Sequence, residues 1–149
     1  MSVNRKTARD ALATLLSAAL VGTGKPVATV LSYPPDAFSG ITFPLCYIES
    51  AGSDRENDTN TGNKSIFDFD PVVMIPYIDA DSGRTAPNPE DALDAIELLI
   101  AQTVQNRDNQ NVAAWTWVKF REKSKTDFVK IGKVYRVEYF FLSVKMRDI

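Results

Sequence analysis

The chain has 149 residues, 44% hydrophobic and 24% charged, with 17 Lys and Arg against 19 Asp and Glu for a net charge of -2. That length suits one domain with a sizeable core, and so even a charge balance gives no support to general nucleic-acid or membrane affinity. The chain has no His, which removes the commonest general base, the serine triad and most zinc sites together.

Cys46 is the only cysteine, so no intramolecular disulfide can form. Its apolar setting predicts a buried free thiol, consistent with a reducing cytoplasm. Arg5, Lys6 and Arg9 precede a patterned amphipathic segment and not a signal core, and no run reaches the roughly eighteen apolar residues of a membrane helix. The expectation is a soluble, unexported protein.

Ala8, Ala11, Leu12, Leu15, Leu16, Ala19 and Leu20 recur at helical spacing and predict a first helix that covers one face of a sheet. Gly22 and Gly24 end it, and Pro26 discourages continuation. Val27 to Tyr33 reads as a first strand, broken by Pro34-Pro35, with a second at Leu45 to Ile48. From Ser50 to Ser65 the only apolar side chain is Ala51, which predicts a mobile polar arm without core contacts.

Ile66 to Ile78 is β-branched and aromatic, but Pro71 and Pro76 each remove a backbone donor, so the strand is expected to be bulged, kinked or at an edge. In it Phe67, Phe69, Val73, Ile75 and Tyr77 share one face, and Asp68 and Asp70 the other. Asp79 to Pro87 reads as a solvated loop. Asn88 caps a second helix with Pro89 at its first position and Glu90 and Asp91 in its first turn, and Ala92, Leu93, Ile96, Leu99, Ile100 and Val104 form its buried stripe. Trp115 to Arg121, Asp127 to Ile131 and Lys133 to Arg147 then form a β-meander, with both faces of the last strand apolar from Phe140 onward. The order predicts a single α+β domain: a mainly antiparallel sheet with two helices packed on one face.

Little in this pattern points to chemistry, and no catalytic, cofactor or metal-binding residue is assigned. Asp68 with Asp70, and Asp79 with Asp81, could hold a hard cation, but alternate acids on a strand are more often its solvated face. Gly22-Thr23-Gly24 follows a helix and precedes a strand, the reverse of a phosphate-binding turn, and is a helix cap. Lys119, Arg121, Lys123 and Lys125 alternate as a basic stripe, which reads best as a lysine-guarded hairpin edge. Trp115 and Trp117 would share a strand face, more often core than a base-stacking platform.

The helix Arg5 to Leu16, the Val30-Leu-Ser-Tyr-Pro-Pro35 segment, the Phe43-Pro-Leu-Cys-Tyr-Ile-Glu-Ser50 strand with its polar sequel, and the closing Ile131-Gly-Lys-Val-Tyr-Arg-Val-Glu-Tyr139 strand resemble tail terminator (tail completion) proteins of long-tailed bacteriophages. The resemblance spans nearly the whole chain as element order and local flavour. It implies a small α+β virion protein without cofactor, assembled in the host cytoplasm into a hexameric ring at the head-proximal end of the tail. Its implied partners are further copies of itself, the tail tube protein, a head-completion or neck protein, and DNA that passes through the lumen without specific binding; no membrane is involved. The nearest competitor is another neck or tube ring of the same virion. Family contact residues follow no transferable motif, so exposure and apolarity alone name Asp54, Arg55, Glu56, Asp58, Lys64, Lys119, Arg121, Phe140, Leu142 and Val144 as candidate contacts between subunits or rings.

Two readings from other classes remain. A ligand-binding module would place Trp115, Trp117, Tyr135 and Tyr139 around a pocket between helix and sheet. A metal enzyme would use Asp68, Asp70, Asp79 or Asp81.

Overall fold

The computed structural model describes residues 4–58, 62–76 and 89–147. It is an α+β fold in which a five-stranded sheet of order β1-β2-β3-β5-β4 packs two helices on one face. The strands are β1 (Thr29–Leu31), β2 (Leu45–Asp58), β3 (Gly62–Pro76), β4 (Trp117–Ile131) and β5 (Lys133–Arg147); the helices are α1 (Arg5–Leu20) and α2 (Pro89–Gln105). Only β1 runs parallel to its neighbour; the other pairings are antiparallel.

Each helix forms where its stripe and its ends agree. The Asn4 side chain accepts from the amides of Lys6 (2.8 Å) and Thr7 (3.3 Å), capping α1, whose Ala8, Leu12, Leu16 and Leu20 are fully buried. α2 buries Leu93, Ile96, Ile100 and Val104. Its last carbonyls are taken by side chains that follow it: Asn109 Nδ2 donates to Thr103 O at 2.8 Å, and Gln110 Nε2 donates to Val104 O at 2.7 Å. Gln110 also donates to Val118 O (3.0 Å) and accepts from Val118 N (2.9 Å), so one amide side chain fastens the end of α2 to the start of β4.

Strand alternation divides the core in two. Cys46, Ile48, Phe67, Phe69, Val73, Ile75, Val118, Phe140, Leu142 and Val144 lie under the helices. Leu45, Tyr47, Val72, Met74, Tyr135 and Val137 face the other way, covered by Phe38, Ile41 and Phe43 of the segment between β1 and β2. The Phe43 and Tyr135 rings stand 4.9 Å apart.

Several sequence expectations change. The polar stretch Ser50 to Ser65 is not an unstructured arm: Ser50–Asp58 and Gly62–Ser65 are the outer halves of β2 and β3, paired from Ser50↔Phe69 to Asp58↔Gly62. Ladder hydrogen bonds, not apolar contacts, order these rungs. Residues 59–61 lie outside the described residues, as do Tyr77, the loop 79–87 with Asp79 and Asp81, and the cap Asn88. Of the three outcomes expected for β3 the edge does not hold, since the strand is central, but the irregularity does: its ladder to β5 lacks rungs at Asp70 and Pro71. β4 is one strand and not two, because register shifts between Phe120 and Glu122 and between Glu122 and Lys125 absorb the polar residues expected to form a turn. Trp115 precedes β4 and is buried among core residues, its indole nitrogen donating to Asn109 O at 2.6 Å, so it shares no strand face with Trp117.

The sequence names Phe140, Leu142 and Val144 as candidate contacts between subunits or rings. They are 1%, 0% and 0% exposed beneath the chain's own helices, which corrects that assignment. Leu142→Ala should therefore cost about 2–5 kcal/mol in urea unfolding, and Leu142→Asp should give insoluble protein instead of a folded monomer.

Candidate assembly surfaces

The helix-free face changes character along its length. Near the β1–β2 connection it is the second core. Beyond Tyr47 and Val72 the same face carries Glu49 opposite Asp70, Gly52 opposite Asp68 and Asp54 opposite Ile66, with Ser143 and Lys145 on β5 and Trp117 and Lys119 on β4. Gly52 has φ +150°, a conformation that side-chain-bearing residues rarely adopt, and it follows the register shift at Ala51.

Arg121 is the centre of this region. The bulge beside it lets the side chain cross β5 over the Phe141 ring (5.4 Å) and bind two carboxylates of β3: Nη1 lies 3.1 Å from Asp68 Oδ2, and Nη2 lies 2.8 Å from Asp70 Oδ1. Ser143 Oγ donates to Asp68 Oδ1 at 2.7 Å, and Glu122 stands 3.8 Å from the same guanidinium. Three strands are thus tied by one planar cation. The basic stripe expected from Lys119 to Lys125 does not form, since Arg121 is engaged with acids, Glu122 takes the position opposite Phe141, and Lys119 lies 4.4 Å over the Trp117 ring.

Burial pushes the Asp70 carboxyl above its ordinary value against the pull of Arg121, and burial followed by the Asp70 charge raises Glu49. Glu138, on the helix side and accepting from Ser124 Oγ at 2.9 Å, is also raised, chiefly by burial. A carboxyl with a raised folded pKa holds more protons folded than unfolded. Its stabilising contribution is present at low pH and is lost as pH rises through the folded pKa.

On the hairpin, Asp54 and Arg55 are exposed, with the Arg55 guanidinium 5.5 Å from the Phe67 ring, and Lys64 is half-buried; Glu56 and Asp58 lie on the outer rungs. α1 reaches this region through Arg5, which donates to Ser53 Oγ at 2.8 Å. β1 pairs only with Leu45, Cys46 and Tyr47, so β2 beyond Tyr47 has β3 as its one neighbouring strand. Five of the ten expected contact residues therefore gather on this hairpin, Lys119 and Arg121 lie two strands away, and the other three are core.

Among the described residues no group of three or more His, Cys, Asp or Glu could hold a metal ion, and no helix is long and apolar enough to cross a membrane. Burial pushes the Cys46 thiol up to about 12, so it is inert as a nucleophile at neutral pH. Trp115 faces the helices while Tyr135 and Tyr139 pack on the opposite face, so these aromatics do not line one pocket. No protein-family model matches the chain, and no curated protein matches it.

Two substitutions check the electrostatics. Arg121→Ala leaves Asp68 and Asp70 side by side without their cation and should lower unfolding free energy by about 1–3 kcal/mol. Glu49→Gln should stabilise by about 0.5 kcal/mol at neutral pH, with the gain disappearing at acidic pH, where Glu49 and Asp70 carry their protons. Urea titrations at both pH values read each effect.

Proposed function

We propose that this protein is a phage tail terminator, a ring-forming virion subunit that caps the tail tube at its head-proximal end and joins it to the neck. The α+β fold is of the class that the sequence resemblance implies. The observation that carries the reading is the outer β2–β3 hairpin, a sheet edge of polar rungs whose described side chains, 50–55 and 64–65, belong to neither hydrophobic core. An edge strand with open backbone groups invites pairing, and charged side chains such as Asp54 and Arg55 restrict that pairing to a matching partner. A ring stacked between a tube and a neck needs such a surface. The overall charge of -2 suits a lumen through which DNA slides without sticking.

Replacing residues 57–63 with Asn-Gly leaves Glu56 and Lys64 flanking a two-residue turn, so the sheet should persist. The shortened protein should fold with a near-unchanged urea midpoint yet fail to join heads to tails. Normal particle yield from it would overturn the role of the hairpin. Negative-stain imaging and antibody labelling of intact particles should place the wild-type protein as a ring at the head–tail junction; labelling elsewhere along the tail would assign it to another ring, and absence from particles would end the reading.

A further inference from the structure

The chain carries two surfaces of opposite charge, each set around exposed apolar carbon. From Lys123 to Arg136 the β4–β5 hairpin has five basic side chains against one acid, Asp127. At its tip Phe128, Ile131 and Val134 are 54%, 42% and 39% exposed. α2 has Glu90, Asp91, Asp94 and Glu97 and no basic residue. Asp91, Asp94 and Leu98 follow at three- and four-residue spacing on its solvent side, where Leu98 is 55% exposed.

Within one chain the two surfaces meet where Arg136 Nε lies 2.7 Å from Glu90 Oε1 and the guanidinium stacks 4.6 Å from the Phe128 ring. Lys125, Lys130 and Lys133 make no ion pair among the described residues. A basic tip with an apolar centre fits an acidic surface with an apolar centre, and each copy of the chain provides both. We propose that the β4–β5 hairpin tip of one copy docks on the acidic solvent face of α2 of a second copy.

The tip–helix contact is heterologous: each copy gives one surface and accepts the other, and repetition closes a ring when the rotation permits. It rests on the ring reading above and names the subunit contact within it. Ile131 with Lys133 lies on the helix-free face of the hairpin and Val134 with Phe128 and Lys130 on the other, so the tip would dock end-on, with its terminal apolar side chains against Leu98 and the charges selecting the register and excluding wrong partners.

The experiment is a charge exchange on the purified protein, read as association constant by sedimentation equilibrium. Lys125→Glu with Lys130→Glu and Lys133→Glu makes the tip acidic; Asp91→Lys with Asp94→Lys and Glu97→Lys makes the helix basic. All six side chains are exposed, so both variants should fold, which circular dichroism checks. Each alone should self-associate about ten-fold more weakly than wild type. An equimolar mixture should recover assembly, because acidic tips then meet basic helices and basic tips meet acidic helices. Ile131→Ser with Val134→Ser should also weaken association while leaving the charge unchanged.

Wild-type association by either charge variant, or a mixture no stronger than its components, overturns the contact. So does a tip variant that associates normally but cannot join tails, which would assign the tip to a neighbouring ring. A wild-type protein that stays monomeric at every concentration also overturns it. The terminator reading stands or falls separately, on where the protein lies in intact particles.

Discussion

The register of β3 is the constraint on which the rest of this structure depends. β3 lies between β2 and β5, so each of its side chains is placed by two ladders at once. Phe67, Phe69, Val73 and Ile75 fall beneath the helices and are buried, while Asp68 and Asp70 fall on the opposite face within reach of Arg121. A slip of one residue would put two carboxylates under α1 and α2 and four large apolar side chains on the other face. The penalty is large enough that the two helices, the Arg121 network and the second core all follow from one pairing.

Pro71 marks the line along which that sheet is irregular. Its missing donor coincides with the absent rungs opposite Phe140 and Phe141, and the register shifts of β4 face the same stretch of β5. The bulge at Arg121 frees its side chain to leave the local ladder and cross a strand. The proline and the distant arginine are therefore parts of one arrangement, although 50 residues separate Asp70–Pro71 from Arg121 in the chain.

Periodicity carried the readable part of the sequence. The stripes of α1 and α2 face the core as their spacing predicts, buried or partly buried, and alternation on β3 separates Phe67, Phe69, Val73 and Ile75 from Asp68 and Asp70. The outer halves of β2 and β3 were illegible because strands solvated on both faces have no apolar period, and the backbone hydrogen bonds that hold them are the same for any sequence. Glu122–Lys125 read as a turn because polar residues in a bulged edge strand look like one. Phe140, Leu142 and Val144 were misplaced for a different reason: the opposite face of that stretch carries Ser143 and Lys145, so only one side is continuously apolar, and the helices already cover it. The Arg121–Asp68–Asp70 cluster needs the relative register of three strands and left no local signal beyond the Asp-Phe-Asp alternation. Gln110 was equally silent, since a helix-end clamp to a later strand depends on where that strand arrives.

The two faces of the sheet are closed by covers of unequal strength. Two four-turn helices seal one side, whereas Phe38, Ile41 and Phe43 of a segment without regular structure seal the other. That segment makes few backbone hydrogen bonds to the sheet beyond Ala28 and Thr29 N to Pro44 O and Thr29 Oγ1 to Thr42 O. Held mainly by its three apolar side chains, it is expected to open at a lower free energy than the helix side. Amide protons of β1 should consequently exchange with solvent sooner than those in the centre of β3, and any state populated on the way to unfolding would present Tyr47, Met74 and Tyr135 before it disturbs a single helical turn.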